Sequence, residues 1–216
     1  MARPRKEDKR QRILQAAVKV FARKGYFAAR VSDIAKSAGV ADGTIYLYFE
    51  SKEDILVRLF DETMAEHAGE MRRVVEALPT VGARLLALAE RHLEVLGKNR
   101  DLAVVFQVEL RQSIQFMKRF TAGWLKGYFA LVTDVIEQGQ REGALRADLN
   151  RKVATKAFFG ALDEMVTSWI IGGKGYDLPK LAAPVVDLFL RGAAPARRIA
   201  AARTLQPAVA AGRGGR

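Results

Sequence analysis

Three side-chain hydroxyls lie close together within residues 39–56, which read GVADGTIYLYFESKEDIL. Thr44, Tyr46 and Tyr48 fall within five residues of one another. Such hydroxyls can donate to phosphate oxygens or to base edges, and Gly43, which has no Cβ, would let the backbone approach a base closely. The stretch therefore indicates a surface that grips nucleic acid.

A helix-turn-helix unit is the arrangement that would present these hydroxyls. Apolar residues at three- and four-residue spacing predict a first helix over about residues 6–24. A second, short helix is predicted to start at Ser32, a good N-cap residue. The turn at 38–40 leads into a third helix over 42–49, and Ser51 caps a longer fourth helix. In such a unit the third helix enters the DNA major groove.

We predict that one connected set of residues contacts DNA. Its members are Ser32, Asp42, Gly43, Thr44, Tyr46, Leu47, Tyr48 and Lys52. Lys52 is assigned to phosphate because it lies at the start of the fourth helix, where the potential is positive. A second interpretation stays open for Tyr46 and Tyr48, as half-buried aromatics that brace the helices. Phe49 is predicted to face the core.

The charge of the chain is unevenly distributed. The 216 residues carry a formal net charge of +12, of which residues 1–60 hold +6, residues 61–192 hold +1 and residues 193–216 hold +5. A basic N-terminal third on a near-neutral body predicts a polyanionic partner, although solubility alone would also explain the charge. The chain has no cysteine, which excludes disulfides and thiolate metal sites and suits a reducing cytoplasm.

Helical periodicity continues through the rest of the chain, so we predict an all-α fold of about nine helices. The later helices are expected over about 80–97, 101–112, 116–141, 150–171 and 178–191. The predicted units are a DNA-binding domain at 1–50, a ligand-binding and dimerisation domain at 51–192 and a disordered basic tail at 193–216. No apolar run approaches the length of a membrane span, so we expect a cytoplasmic protein with no membrane partner.

The N-terminal pattern resembles that of TetR-family transcriptional regulators over residues 10–60. The matching segments are ILQAAVKVFARKGY, VSDIAKSAGV and GVADGTIYLYFESKEDIL. One departure is Ala41, where many members have Ser or Thr, and Asp42 is expected to cap the helix instead. The resemblance implies a repressor that binds a palindromic operator as a dimer. It also implies that the last two helices pair across a two-fold axis.

Three later stretches resemble the regulatory domain of one TetR subgroup: DLAVVFQVELRQS (101–113), LKGYFALVTDVIEQGQREG (125–143) and FFGALDEMVTSWI (158–170). Members of that subgroup repress fatty-acid-degradation genes and release DNA when they bind acyl-CoA. The resemblance implies long-chain acyl-CoA as the effector, with no cofactor and no metal. The candidate ligand residues are His92, Phe106, Gln107, Leu110, Arg111, Trp124, Tyr128, Phe159 and Asp163.

Simpler interpretations of the body stay open. Its aromatic residues could form an ordinary core, and a lone histidine is more often a core residue than a ligand contact. The cations Arg111, Lys118, Arg119 and Lys126 suit CoA phosphates, but they also suit a solvated surface. Asp163 and Glu164 leave a sensor of cationic drugs possible. No enzyme is predicted, because the chain lacks the GxSxG, HExxH and P-loop motifs.

Overall fold

The computed structural model of the chain describes residues 6–173 and 176–194, apart from the side chains of 6, 7, 64–69, 120, 121 and 124. The described residues form ten α-helices and no strand, which confirms the all-α prediction. None of their helices combines the length and the apolar character needed to cross a bilayer.

The first three helices build a small core of their own. They are α1 (Lys6–Lys24), α2 (Val31–Ala38) and α3 (Asp42–Ile45). Gly39 ends α2 at φ +65°, a left-handed conformation that glycine adopts without strain. Ile13, Ile34 and Phe49 are fully buried among these helices, so the predicted inner face of the unit is present.

The helix starts in this unit differ from the predicted ones. Helix α2 begins at Val31, so Ser32 lies in its first turn and does not cap it. The Asp33 side chain accepts instead from the backbone N–H of Arg30 at 3.0 Å. The N-cap of α3 is Ala41, without a side-chain bond, and Asp42 is the first helical residue. The expected cap by Asp42 is therefore wrong.

Helices α4 (Lys52–Ala77) and α5 (Val81–Gly97) lead from this unit into the body. Ser51 caps α4 as predicted, because its hydroxyl accepts from the backbone N–H of Asp54 at 3.0 Å. The inner face of α5 is buried on several sides, since α5 packs against α4, α8, α9 and α10. It forms the centre of the body.

The chain between α5 and α9 is more broken than predicted. Helix α6 (Arg100–Val104) continues into a π-helical turn (Val105–Glu109) and a 3₁₀ turn (Leu110–Gln112); we call residues 105–112 the π segment. The helix predicted over 116–141 is two helices, α7 (Ile114–Ala122) and α8 (Trp124–Arg141). They part at Gly123, whose ψ of −121° does not belong to a helix.

The fold ends with α9 (Arg151–Gly172) and α10 (Ala182–Ala193), the latter preceded by a 3₁₀ turn (Leu178–Leu181). Composition places Ala193 in the tail, but the structure places it in α10. It is buried, and its carbonyl accepts the backbone N–H of Arg146 at 2.9 Å. The predicted disorder concerns residues that lie almost entirely outside the described ones. The domain boundaries stay predictions.

Candidate functional site

Residues 42–48, which we call the recognition turn, present several exposed side chains. Tyr46 and Leu47 expose 59% and 76% of their surface, and Asp42 and Gly43 are exposed beside them. A Cβ built at Gly43 would meet nothing within 4 Å, so this backbone faces open space. Ser32 is exposed on the preceding helix. Five of the eight predicted DNA-binding residues are therefore exposed.

The other hydroxyls of this turn are less accessible. Thr44 and Tyr48 are half-buried, and Tyr48 packs against the core of the unit. Helix α3 ends at Ile45, and residues 46–48 form a turn whose backbone bonds run from Tyr48 N to Ile45 O at 3.0 Å. The bracing interpretation thus holds for the ring of Tyr48, whereas Tyr46 is the exposed aromatic.

Lys52 does not stand free for phosphate. Its ammonium donates to the carbonyls of Tyr26 and Ala29 at 2.7 and 2.8 Å, and to that of Phe27 at 3.3 Å. It also lies 4.5 Å from the centre of the Tyr26 ring. Three carbonyls match the three N–H donors of an ammonium. Lys52 therefore holds the α1–α2 loop against the start of α4, and its contact with a phosphate stays a prediction.

The body encloses a cavity of about 80 Å³ between α4, α5, the π segment, α7, α8 and α9. Its wall is mainly apolar and aromatic. The rings of His92, Tyr128 and Phe159 lie 5.6–5.9 Å apart in a tilted and edge-on cluster. The complete lining is Met71, Arg91, His92, Val95, Leu96, Phe106, Gln107, Leu110, Arg111, Met117, Leu125, Tyr128, Phe159 and Asp163.

One carboxylate organises the polar part of this wall. Asp163 accepts from the Gln107 side chain at 2.7 Å and forms an ion pair with Arg111. Thr167 completes the group by donating to the Gln107 oxygen at 3.3 Å. Both Gln107 and Arg111 belong to the π segment, so these bonds fasten that segment to α9.

The imidazole of His92 is a buried polar group in this wall. Its Nε2 is buried and has no hydrogen-bond partner among the described residues. Burial lowers the pKa of His92 to about 4, and the nearby Asp163 charge only partly opposes this shift. The imidazole is therefore neutral at neutral pH. Burial also raises the pKa of the Tyr128 hydroxyl, and Asp163 adds to the shift.

Sequence comparison assigns both parts of the chain. Residues 13–59 match the family described as bacterial regulatory proteins, tetR family. Residues 60–192 match the C-terminal region of YsiA-like proteins, a TetR C-terminal domain. The chain belongs to the TetR family of bacterial regulators.

Named relatives of this TetR-family chain include a regulator of lipid metabolism. The fatty acid metabolism regulator protein of Bacillus subtilis is 38% identical over 187 residues, which cover 87% of this chain and 96% of the relative.

Two solved structures resemble the TetR-family chain throughout. The FadR regulator of Bacillus subtilis in complex with stearoyl-CoA is 38% identical, has a TM-score of 0.80, and covers 84% of this chain and 98% of its own. The fatty acid degradation regulator FadR of Bacillus halodurans is 40% identical, with a TM-score of 0.78 and the same coverage.

The cavity of this TetR-family body collects most of the predicted ligand residues. Eight of the nine line it, namely His92, Phe106, Gln107, Leu110, Arg111, Tyr128, Phe159 and Asp163. The ninth, Trp124, has a side chain that lies outside the described ones. Their use by a ligand stays a prediction, but their convergence on one site follows from the geometry.

Sequence reasoning missed several lining residues. Arg91 immediately precedes His92 and forms ion pairs with Glu70 and Glu94 at 3.1 and 3.4 Å. Met71 and Met117 also line the cavity. Flexible methionines commonly fill irregular gaps in a core. No spacing in the sequence distinguishes Met71 and Met117 from core residues. Arg91 could have been predicted, because it is next to His92, a candidate ligand residue.

The four cations predicted for CoA do not form one cluster. Arg111 is paired with Asp163, and Arg119 is paired with Glu53 of α4 at 2.8 Å. Lys118 and Lys126 are exposed, and neither lines the cavity. Arg111 and Arg91 are therefore the cations at the cavity. Among the described residues no group of His, Asp or Glu side chains could hold a metal ion.

Proposed function

We propose that this TetR-family protein is a repressor that binds a palindromic operator as a dimer and is released by long-chain acyl-CoA. The cavity is the observation that carries the proposal. It is apolar along most of its wall, and its lining includes two arginines and the neutral imidazole of His92. An acyl thioester of CoA combines a long apolar chain with a neutral carbonyl and several phosphates.

The apolar wall supports an acyl chain. Each buried methylene contributes about 0.8 kcal/mol, so affinity should rise with chain length until the space is filled. The present volume of about 80 Å³ is below the roughly 300–1,000 Å³ of small-molecule sites. A chain as long as stearoyl must therefore push parts of the wall apart. This need for movement is what connects ligand binding to a change of shape.

The charges in the wall support CoA better than a cationic drug. The one carboxylate that would attract a cation, Asp163, is already paired with Arg111 and bonded by Gln107. Arg91 and Arg111 both line the cavity, and phosphates would compete with the acids that pair with them, since arginine binds phosphate in a bidentate manner. A cationic drug would have to share this carboxylate with Arg111, whereas two arginines against one carboxylate in the wall favour an anionic ligand.

The DNA-binding side rests on the exposed recognition turn. One such turn reads too few bases, so two copies must contact two half-sites. The described residues of α9 and α10 carry exposed apolar side chains, of which Ile171 and Leu188 are the most accessible. We assign them to the dimer interface, together with the half-buried Val185 and Phe189. Val186 of the same helix lies in the core of its own chain.

Release of DNA requires that the ligand favour one shape over another. A ligand with equal affinity for both shapes could shift nothing. A tenfold loss of operator affinity corresponds to a difference of about 1.4 kcal/mol between the two shapes. The burial of two additional methylenes would already supply that difference. The protein acts where its operator lies, so we place it in the cytoplasm.

The test begins with selection of a high-affinity fragment from genomic DNA by the full-length protein. Operator affinity is then measured with stearoyl-CoA, free stearate, CoA and a cationic dye. The proposal predicts that stearoyl-CoA weakens operator binding at least tenfold, and that stearate and CoA act far more weakly. Release by the dye but not by stearoyl-CoA would transfer the function to the drug-sensor class. No preference for any fragment over random DNA would contradict the repressor itself.

A further inference from the structure

The π segment faces two parts of the molecule at once. Phe106, Gln107, Leu110 and Arg111 line the cavity on one side. Glu109, on the other side, reaches the loop between α1 and α2, where its carboxylate accepts the backbone N–H of Tyr26 at 2.6 Å. The segment therefore touches both the proposed effector site and the DNA-binding helices. A π-helical turn at such a place is a frequent mark of function.

Glu109 is a buried acid with a defined set of partners. Only 5% of its surface is exposed, and the same oxygen that binds Tyr26 also accepts from Gln112 at 3.1 Å. Burying a carboxylate is costly unless hydrogen bonds compensate it. Gly25 adopts φ +78°, and a Cβ there would lie 3.6 Å from the Glu109 carboxylate. That distance is an ordinary contact, so glycine is favoured at this position by its positive φ and not by a lack of space.

Tyr26 contacts several elements through its backbone and its ring. Its carbonyl accepts from Lys52 of α4 at 2.7 Å, and its N–H donates to Glu109. Its ring packs edge-on against Phe116 of α7 at 4.9 Å and tilted against Phe21 of α1 at 5.4 Å. One residue of the α1–α2 loop is thus bound to α1, α4, α7 and the π segment together. A shift of the π segment must move this residue or break the bond.

We propose that Glu109 is the positioning residue through which the cavity controls the DNA-binding helices, and that the Tyr26 backbone N–H is its point of contact. The inference rests on the proposed function, because it takes acyl-CoA as the occupant of the cavity. Glu109 touches neither ligand nor DNA. It acts by fixing the α1–α2 loop, and through the loop the orientation of α2 and α3.

The geometry indicates how occupancy would reach this contact. Gln107 and Arg111 hold the π segment to Asp163 of α9, and Glu109 lies between them in the chain. An acyl chain that displaces Phe106, or a phosphate that competes with Asp163 for Arg111, changes the position of the segment. Because these residues share two adjacent short helical turns, Glu109 moves with them. The bond to Tyr26 is then stretched or lost.

Three variants of the full-length protein test this link. Glu109→Leu removes the acceptor, Glu109→Gln keeps an oxygen that can accept from the Tyr26 N–H, and Gln112→Leu removes the other partner of Glu109 but leaves the link. Without any ligand, we expect Glu109→Leu to weaken operator binding about tenfold, the scale of one hydrogen bond to a charged group. Glu109→Gln and Gln112→Leu should stay within about threefold of the wild type.

The second readout is the response to stearoyl-CoA, taken as the ratio of operator Kd with and without it. Glu109→Leu should reduce this ratio toward one while its stearoyl-CoA affinity, measured without DNA, changes less than about threefold. Glu109→Gln should restore most of the ratio. A merely structural role would lower stability but would not separate ligand affinity from response. Hydrogen exchange at the Tyr26 amide tests the same bond in the wild type. We expect this exchange to be faster with stearoyl-CoA, because the bond to Glu109 is weakened.

The possible failures are distinguishable. If stearoyl-CoA does not change the operator affinity of the wild type, the effector assignment is wrong. The operator affinity of Glu109→Leu without ligand still tests whether the Glu109–Tyr26 bond supports DNA binding. A wild type that responds, with Glu109→Leu equal to it in operator affinity and response, overturns the role of Glu109. The same holds if Glu109→Leu fails to fold and stearoyl-CoA leaves exchange of the Tyr26 amide unchanged in the responding wild type.

Discussion

Replacement of Lys52 by methionine separates two roles for the start of α4. The variant keeps the apolar stem and removes the ammonium, which bonds the carbonyls of Tyr26 and Ala29 at 2.7 and 2.8 Å. Bonds to a charged group contribute about 1.5–3 kcal/mol, and the part-exposed position places Lys52 near the lower end. We expect a loss of about 2 kcal/mol in the free energy of unfolding. For a chain of this size that is a fall of about 4–8 °C in melting temperature.

The assay combines thermal unfolding with operator binding at several salt concentrations. A lysine that neutralises one phosphate changes the slope of log K against log salt by about 0.9. If the Lys52 ammonium stays bonded to the loop carbonyls when DNA binds, the slope should equal that of the wild type, even if affinity falls. Lys36→Met, at an exposed lysine of α2, is the matched control for loss of charge. An unchanged melting temperature with a slope lowered by about one unit would refute the reasoning.

Three further predictions follow from the body. Between pH 6.5 and about 4 the unfolded chain binds more protons at His92 than the folded chain does. The free energy of unfolding should therefore fall by about 2 kcal/mol from pH 7 to pH 5 because of this residue. His92→Phe should remove that part of the fall, as measured by urea titrations at the two pH values. Phe159→Asp places a charge in the aromatic cluster. Calorimetry should then show stearoyl-CoA binding at least about tenfold weaker, with operator binding intact. Equal ligand affinity would mean that the acyl chain binds elsewhere. A protein that ends at Ala194 should melt within about 2 °C of the full chain. A protein that ends at Gly192 lacks the Ala193 carbonyl, which accepts the backbone N–H of Arg146, and should melt about 2–4 °C lower.

The helices were predictable where periodicity and capping agree. Ser51 lies before two acids and an apolar pattern, and it caps α4 as expected. The break at Gly123 was not predictable in the same way, because the apolar pattern runs on through it. Glycine is tolerated inside many helices, so its ψ of −121° is decided by the packing of α7 and α8 and not by local propensity.

The candidate ligand residues were predictable as a group, and their pairing was not. Aromatic and polar residues interleaved on α5, α8 and α9 indicated a pocket, and eight of the nine line one cavity. Nothing in the sequence links Gln107 or Arg111 with Asp163, more than 50 residues away, since such contacts depend on how the helices cross. For the same reason Glu109 was no candidate for contact with Tyr26.

Lys52 has a contact within the chain that its position in the sequence does not indicate. Its position at a helix start next to the recognition turn indicates phosphate binding and does not reveal the contact with the loop. The three carbonyls that accept its hydrogen bonds belong to a loop about 25 residues earlier in the chain. Only the tertiary structure places that loop beside α4.

Native mass spectrometry of the full-length protein with stearoyl-CoA tests the central claim most directly. It weighs the assembly and its bound ligand in one experiment. The account predicts a dimer that takes up stearoyl-CoA, up to one per chain, and loses this uptake in Phe159→Asp. A dimer that gains no mass from stearoyl-CoA while it binds a cationic dye, or a chain that stays monomeric with and without DNA, would contradict it.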